Sequence, residues 1–280
     1  MKKLSKWLLQ LTVAFIGILL ISGLPILITG IQQGEFRGKE YSQHILALFP
    51  ISNFMDQYYG PHIGEYITYS LEILFLALLV AIFLALLFTI LTMLFKERTR
   101  QRIKTIFFFL ESFPDILVIL LVQLTVIMIH RNTGIFLSKI AVTGGEKIYM
   151  LPVFCLMILP MVQLYRLSML TFEAEERKMY VELSKSLGFN KLIILIIHIF
   201  RNAIVSIFFQ SKKTMWFMLS NLFILERMFN MPGIMFHLSQ NMSGELFLIT
   251  VCSFFLPVFI LYSFGEWYFL RRLNRGGAIL

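Results

Sequence analysis

The chain has 280 residues, 58% of them hydrophobic and only 15% charged, with a mean hydropathy of +0.79. A water-soluble core of that size cannot hide so much apolar surface, so the composition excludes a soluble enzyme or binding module and points to an integral membrane protein. The net charge of +9 would suit nucleic acid, but its placement between apolar runs favours lipid instead, and no nucleic-acid partner is expected.

Apolar runs of the ~20 residues needed to cross a bilayer fall near 7–28, 67–95, 106–129, 149–170, 203–225 and 246–270. They predict an all-α integral membrane fold with about six transmembrane helices. The first run is too long for the apolar part of a signal peptide, and no small-x-small site follows it, so it is expected to remain as a span. Residues 30–66 then form the longest soluble stretch, read as an irregular cap or short helices. The expected division is an N-terminal helix and loop over 1–66 and a core over 67–280. Basic residues cluster before the first span, at 96–104, at 177–201 and after the last span. By the positive-inside rule both termini and the polar island around Tyr180 are expected to be cytoplasmic. Cys155 and Cys252 fall inside predicted helices and read as packing residues. Pro114, Pro152, Pro160 and Pro257 lie in or near spans and predict bends whose freed carbonyls need compensation.

Few segments could carry catalytic chemistry. Gly34 to Glu40 imitates a phosphate-cradling loop but is one residue short and ends in Glu, and Gly144-Gly145-Glu146-Lys147 lacks the spacing. The five histidines are scattered and none belongs to an H-E-x-x-H pattern, so no catalytic or metal site is expected. Two features stand out instead. The island Tyr180-Val181-Glu182-Leu183-Ser184-Lys185-Ser186-Leu187-Gly188 predicts a short amphipathic helix stopped by a glycine at positive φ. A new apolar helix is expected just past Arg201-Asn202, giving a hairpin suited to docking a soluble partner, with Glu173, Glu175, Glu176, Arg177 and Lys178 supplying charge to the grip. The second feature is Lys212-Lys213 near the middle of the fifth expected span, where each charge costs a few kcal/mol unless it meets water or a partner. Glu72, Glu111 and Asp115 are candidate partners, the last two four residues apart on one face of the third expected span. The lysines read either as structural ion pairs, one facing a path and the other a neighbouring helix, or as a site for an anionic group such as a peptide carboxylate.

The island, with its His198-x-x-Arg201-Asn202-Ala203 ending, resembles the "EAA" coupling loop of ABC-importer permeases, and that ending is similar to the dipeptide, oligopeptide and nickel branch. Downstream, Glu226-Arg227-Met228-Phe229-Asn230-Met231-Pro232-Gly233-Ile234 resembles the branch's E-x-x-F-x-x-P-G-[IL] segment, in register without a gap. Ser70-Leu71-Glu72, Ser112-Phe113-Pro114 and the stretch from Pro160 to Arg166 extend the likeness over roughly 67–270. The resemblance implies a type I ABC-importer permease fold and one half of a two-permease pore. Its partners would be a second permease subunit, two ABC ATPase subunits that use ATP and Mg, an extracytoplasmic solute-binding protein and the lipid bilayer, with no cofactor in this chain. It assigns ATPase coupling to Tyr180, Val181, Glu182, Leu183, Ser184, Gly188, His198, Arg201 and Asn202. Lys212, Lys213, Trp216, Ser220, Asn221, Glu72, Glu111 and Asp115 become candidates for the translocation path, and Glu226, Phe229, Pro232 and Gly233 for an outer gate. Leu183 and Ser184 stand where the family favours small residues, and Lys212, Lys213, Trp216, Phe217, Ser220 and Asn221 also depart from its pattern. Peptides are the first substrate class implied, nickel or other metal chelates the second. An ion-coupled secondary transporter using the lysines and the three acids as a relay, or a non-transporting membrane anchor or sensor, are the rival readings.

Overall fold

A backbone surrounded by lipid has no water to bond with, so its hydrogen bonds must close within the segment. The computed structural model describes residues 2–23, 31, 38–47, 62–135, 138, 139, 141, 146–240 and 243–276, and every regular element among them is helical. In chain order these are α1 (Lys2–Ser22), α2 (Gly38–Ala47), α3 (Ile63–Leu94), α4 (Glu97–Glu111), α5 (Asp115–Thr133), α6 (Met150–Glu176), α7 (Met179–Ser186), α8 (Lys191–Phe229), α9 (Ile234–Gln240) and α10 (Gly244–Gly276). Of these, α3, α5, α6, α8 and α10 are long and apolar enough to cross a membrane, and α1 carries a shorter apolar stretch over Leu9–Ser22. The rest of the first expected span, most of the 30–66 loop and both phosphate-loop look-alikes fall wholly or partly outside the described residues.

Two boundaries differ from expectation. The apolar run over 106–129 is broken: α4 ends at Glu111, capped by Ser112, and α5 starts after Pro114 at φ −63°. A proline cannot donate into the preceding turn but fits the first turn of a new helix, so the Ser112-Phe113-Pro114 step separates two elements. Glu111 and Asp115 therefore sit on different helices rather than on one face. The second correction concerns α8, which begins at Lys191 and not beyond Arg201-Asn202, because the apolar residues from Leu192 onward already support helix. It passes through a π-helical turn at Ile194–Ile199, which accommodates one extra residue per turn without ending the helix.

The chain separates into two compact units, Met1–Leu71 with Pro232–Tyr268, and Glu72–Met231 with Phe269–Leu280. In the first, Leu19 of α1 and Leu248 of α10 form a small core lined by Phe15, Ile18 and Cys252. Tyr41 donates to the Leu20 carbonyl at 2.9 Å, and its ring lies so near Gly23 that a Cβ there would come within 2.5 Å. Ile234 N–H donates to the buried Ser70 hydroxyl at 3.0 Å, and Tyr66 stacks on His237 with ring centroids 4.0 Å apart. Burial holds the His237 imidazole below its usual pKa, since the charged form loses hydration there.

The second unit is built on α6. Leu156, Leu159, Val162, Tyr165, Met169 and Phe172 are buried along it, against the Ala203, Ile207, Met215, Met218, Leu222 and Leu225 stripe of α8. Helix α4 docks on α6 through three ion pairs. Arg100 meets Glu176 at 3.0 Å, Lys104 meets Glu173 at 2.9 Å, and Glu111 meets Arg166 at 3.1 Å. The α4 positions rise as the α6 positions fall, so the pairs fix an antiparallel register. Phe107, which lies between the second and third rungs on α4, packs on Tyr165 with ring centroids 3.9 Å apart, and the Tyr165 hydroxyl donates to Thr92 Oγ1 of α3 at 3.1 Å. Glu111 is thus occupied by Arg166 and is not a partner for the lysines of α8. The outer faces of the apolar helices are plain hydrocarbon: Leu76, Leu79, Phe83, Leu87 and Leu91 on α3, and Ile116, Leu120, Leu124 and Ile127 on α5 are exposed.

Both side chains of the Lys104 and Glu173 rung are partly buried, so reversing one charge leaves a repulsion that water screens only in part. Glu173→Lys is expected to cost about 2 kcal/mol in detergent thermal unfolding, and Lys104→Glu/Glu173→Lys to recover most of it. A double variant no more stable than the single one would show that the pair does not set the register.

Candidate functional site

Helix α7 has only eight residues, too few to persist alone, so its position depends on how its ends are tied. At the start, Lys178 N–H donates to the Glu175 carbonyl at 3.1 Å, and the Lys178 ammonium and Tyr180 hydroxyl both reach the Glu175 carboxylate at 2.6 Å. Asn202 of α8 also bonds to Tyr180, so one phenol ties the end of α6 to the base of α8. Burial, reinforced by the neighbouring Glu175 carboxylate, pushes the Tyr180 pKa up to about 12, which keeps it a donor throughout the physiological range.

The far end closes as the sequence predicts. Gly188 adopts φ +80°, its N–H donates to the Lys185 carbonyl at 3.0 Å, and Phe189 N–H donates to the Ser184 carbonyl at 3.3 Å. This pair of bonds is the Schellman closure, and the left-handed residue it requires carries no penalty only when it is glycine.

Between these ties α7 is two-faced. Val181 is wholly buried and Ser184 nearly so, lying over the π turn where Ile194, Leu195 and Ile199 are also buried. Glu176, Val181, Lys185 and Phe189 border a groove of about 370 Å³ along that seam. The opposite face presents Met179, Glu182, Leu183 and Leu187 to the outside, with Leu183 61% exposed. His198 is half-buried in the π turn with the Phe189 ring 6.0 Å away, and Arg201 is exposed. Of the acids expected to help grip a partner, Glu173 and Glu176 are taken by Lys104 and Arg100, and Glu175 by Lys178 and Tyr180. They hold the hairpin onto its own bundle instead.

The candidate path residues divide. Lys212, Lys213, Trp216 and Ser220 are exposed on α8, whereas Asn221 is buried and bonds to Asp115 at the start of α5. Those two border a void of about 10 Å³ shared with Leu156 and Pro160, where the proline leaves α6 one backbone bond short. Glu72 accepts from the Tyr149 hydroxyl at 2.8 Å; burial and this carboxylate raise the Tyr149 pKa. The expectation that Glu72, Glu111 or Asp115 would pair with the lysines is overturned, because each acid has a different partner. Both lysines are exposed, and among the described residues neither has an ion-pair partner.

The candidate gate begins in the last turn of α8. Glu226 and Phe229 are fully buried, and Asn230 takes the left-handed conformation at φ 52°. Met231 N–H returns to the Glu226 carbonyl at 3.0 Å, a second Schellman closure with asparagine in the glycine position. Pro232 and Gly233 lie in the other unit and lead into α9, where the Gly233 carbonyl accepts from His237 N–H at 3.2 Å.

Sequence reasoning missed the α4–α6 ion pairs as structural parts of the site. Their only advance signal was spacing, since 100, 104 and 111 mirror 176, 173 and 166 on antiparallel helices.

Helices throughout the described residues, five of them long and apolar enough to cross a membrane, define a polytopic membrane protein. The family model described as "Binding-protein-dependent transport system inner membrane component" matches residues 77–267, more than half of the chain, and the chain belongs to that family, the type I ABC-importer permeases. No curated protein matches the chain. Membership makes this a multi-pass inner-membrane transport subunit rather than an enzyme, and it implies ATPase partners and a lipid bilayer.

A Cβ at Gly188 would meet no atom within 4 Å, so any loss on substitution is backbone strain alone. Gly188→Ala is expected to destabilise α7 by about 1–2 kcal/mol and Gly188→Asn by less, since asparagine tolerates the left-handed region. Hydrogen exchange of the Leu187 to Phe189 amides measures this directly; equal exchange in all three proteins would refute the strain argument.

Proposed function

We propose that this chain supplies the translocation path and the mechanical coupling of an ATP-driven importer for peptides, in the dipeptide, oligopeptide and nickel branch of the family. The observation that carries the reading is the exposed Leu183 ridge of α7, held between the Tyr180 tie and the Gly188 closure, with Glu182 and Gly188 at the spacing of the coupling loop of ABC-importer permeases. Fully covering a leucine contributes about 1.5–3 kcal/mol, so an apolar cleft on a soluble ATPase would gain from receiving it. The downstream Glu226 to Ile234 match supports the same branch.

In this reading both termini and α7 are cytoplasmic, residues 1–66 form an N-terminal helix and outer loop, and residues 67–280 form the permease core. Two ABC ATPase subunits hydrolyse ATP with Mg. Their closure moves α7 as a rigid body, and the motion passes through Tyr180 and Asn202 into α8 and through Glu176 and Arg100 into α4. Tyr180, Val181, Glu182, Leu183, Ser184, Gly188, His198, Arg201 and Asn202 form the coupling site. A second permease completes the pore, a solute-binding protein delivers substrate from outside, and Glu226, Phe229, Pro232 and Gly233 shape the outer gate.

Affinity purification of the tagged chain from membranes in mild detergent tests the reading. Wild type is expected to bring down ATPase subunits and ATP hydrolysis, whereas Leu183→Asp and Gly188→Arg lose both while remaining folded. A chain that comes out alone in every case would overturn the coupling role.

A further inference from the structure

Helix α8 differs from the other membrane-length helices in what it exposes. Asn202, Ser206, Phe209, Lys213, Trp216 and Ser220 are all exposed, and at 100° per residue they fall within one arc of roughly 80°. The stripe runs ~27 Å along the helix, nearly the ~30 Å thickness of a hydrocarbon core. Lys213 sits ~16 Å from one end, and Lys212, about 100° around the helix, is exposed beside it. Over 76–94 of α3 and 116–128 of α5 the exposed positions are apolar apart from Thr125, and the charged or polar exposed residues of those two helices lie nearer their ends. Lipid would make the α8 stripe costly by a few kcal/mol for each lysine, so this face meets water or polar groups. Lys213 stands on it and Lys212 flanks it, and the candidate acids Glu72, Glu111 and Asp115 are each engaged elsewhere.

Resting on the permease reading, we propose that the Lys212 and Lys213 face of α8 lines an aqueous path and selects for solutes carrying a carboxylate or other anionic group. The lysines attract the anion by their uncompensated field, Trp216 and Phe209 provide apolar contact beside it, and Ser206 and Ser220 offer hydroxyls about two turns away on either side of Lys213. The chemistry that recognises such a solute is charge plus a flat apolar wall, which suits a peptide C-terminus better than a cationic chelate.

The test uses the full chain, purified with its partners and returned to liposomes, with Cys155 and Cys252 replaced by alanine. Single cysteines at Ser206→Cys and Ser220→Cys, each ~10 Å along the helix from Lys213, are modified with a sulfonatoethyl (anionic) and a trimethylammonium-ethyl (cationic) methanethiosulfonate. The ratio of anionic to cationic reaction rates is expected to fall about tenfold when Lys212→Met/Lys213→Met is added, the size expected for two unit charges at that distance in water. Lys212→Arg/Lys213→Arg is expected to keep the ratio. Modification by both reagents with a ratio indifferent to the lysines would overturn anion selection while leaving the path intact. Cysteines that neither reagent reaches would show a dry face and would sink both the inference and the assignment of this stripe to the path.

Discussion

Arg100 is the tie on which the arrangement of the second unit rests. It is buried, donates to the Glu176 carboxylate at 3.0 Å and to the Met93 carbonyl at 3.4 Å, and approaches Glu97 at 3.5 Å. One guanidinium thereby joins the end of α3, the start of α4 and the end of α6. Helix α7 begins three residues after Glu176, so its placement follows from that junction. A planar, permanently charged fork suits this role, because it satisfies several acceptors at fixed angles while remaining out of water. The Lys104 and Glu111 rungs then extend a point contact into a line, and because the sign reverses at the third rung the line favours one register. The base of the hairpin is in this way a stiff object made mostly of electrostatics, while the rest of the bundle is held by side-chain packing.

What could be read from the sequence was whatever depends on nearby residues. Apolar runs announced the long helices, and Gly188 announced the end of α7 because a left-handed residue is a local requirement with few solutions. The break at Pro114 was harder, since an averaged apolar run continues across Ser112 and Phe113 on both sides and hides the stop. The early start of α8 was missed for a related reason. The polar Arg201-Asn202 pair reads as a boundary, yet a helix can expose both residues without interruption, and the π turn that precedes them has no simple pattern. The ion pairs left no trace in the sequence beyond their mirrored spacing. Their members lie 69 and 76 positions apart at the two rungs nearest α7, and only the fold decides which basic residue meets which acid.

The candidate site was partly legible in the same sense. Tyr180 and Asn202 were singled out separately, and the structure brings them together around Glu175. Asp115 and Asn221 likewise meet, but in a closed polar contact beside Pro160 rather than on an open wall. Lys212 and Lys213 remain as expected in place and differ in company, facing outward without the acids that a stable internal pair would require. The two helix closures show how much of this depends on a single backbone geometry: Gly188 ends α7, Asn230 ends α8, and each turns the chain by the same hydrogen-bond pattern toward a different task.

The line of charges between α4 and α6 also has a history in time. Arg100 and Lys104 leave the ribosome 76 and 69 residues before Glu176 and Glu173. At typical synthesis rates of about 5–20 residues per second, several seconds pass before their acids exist. Throughout that interval α4 has a basic face and an aromatic face, is too short to cross a bilayer, and gains most by lying among the headgroups. Its seat on α6 opens only once α6 has been inserted, so the register of the mature bundle is written by the second helix to arrive. The order of synthesis thus gives α4 its basic face several seconds before the acids at the end of α6 that neutralise it.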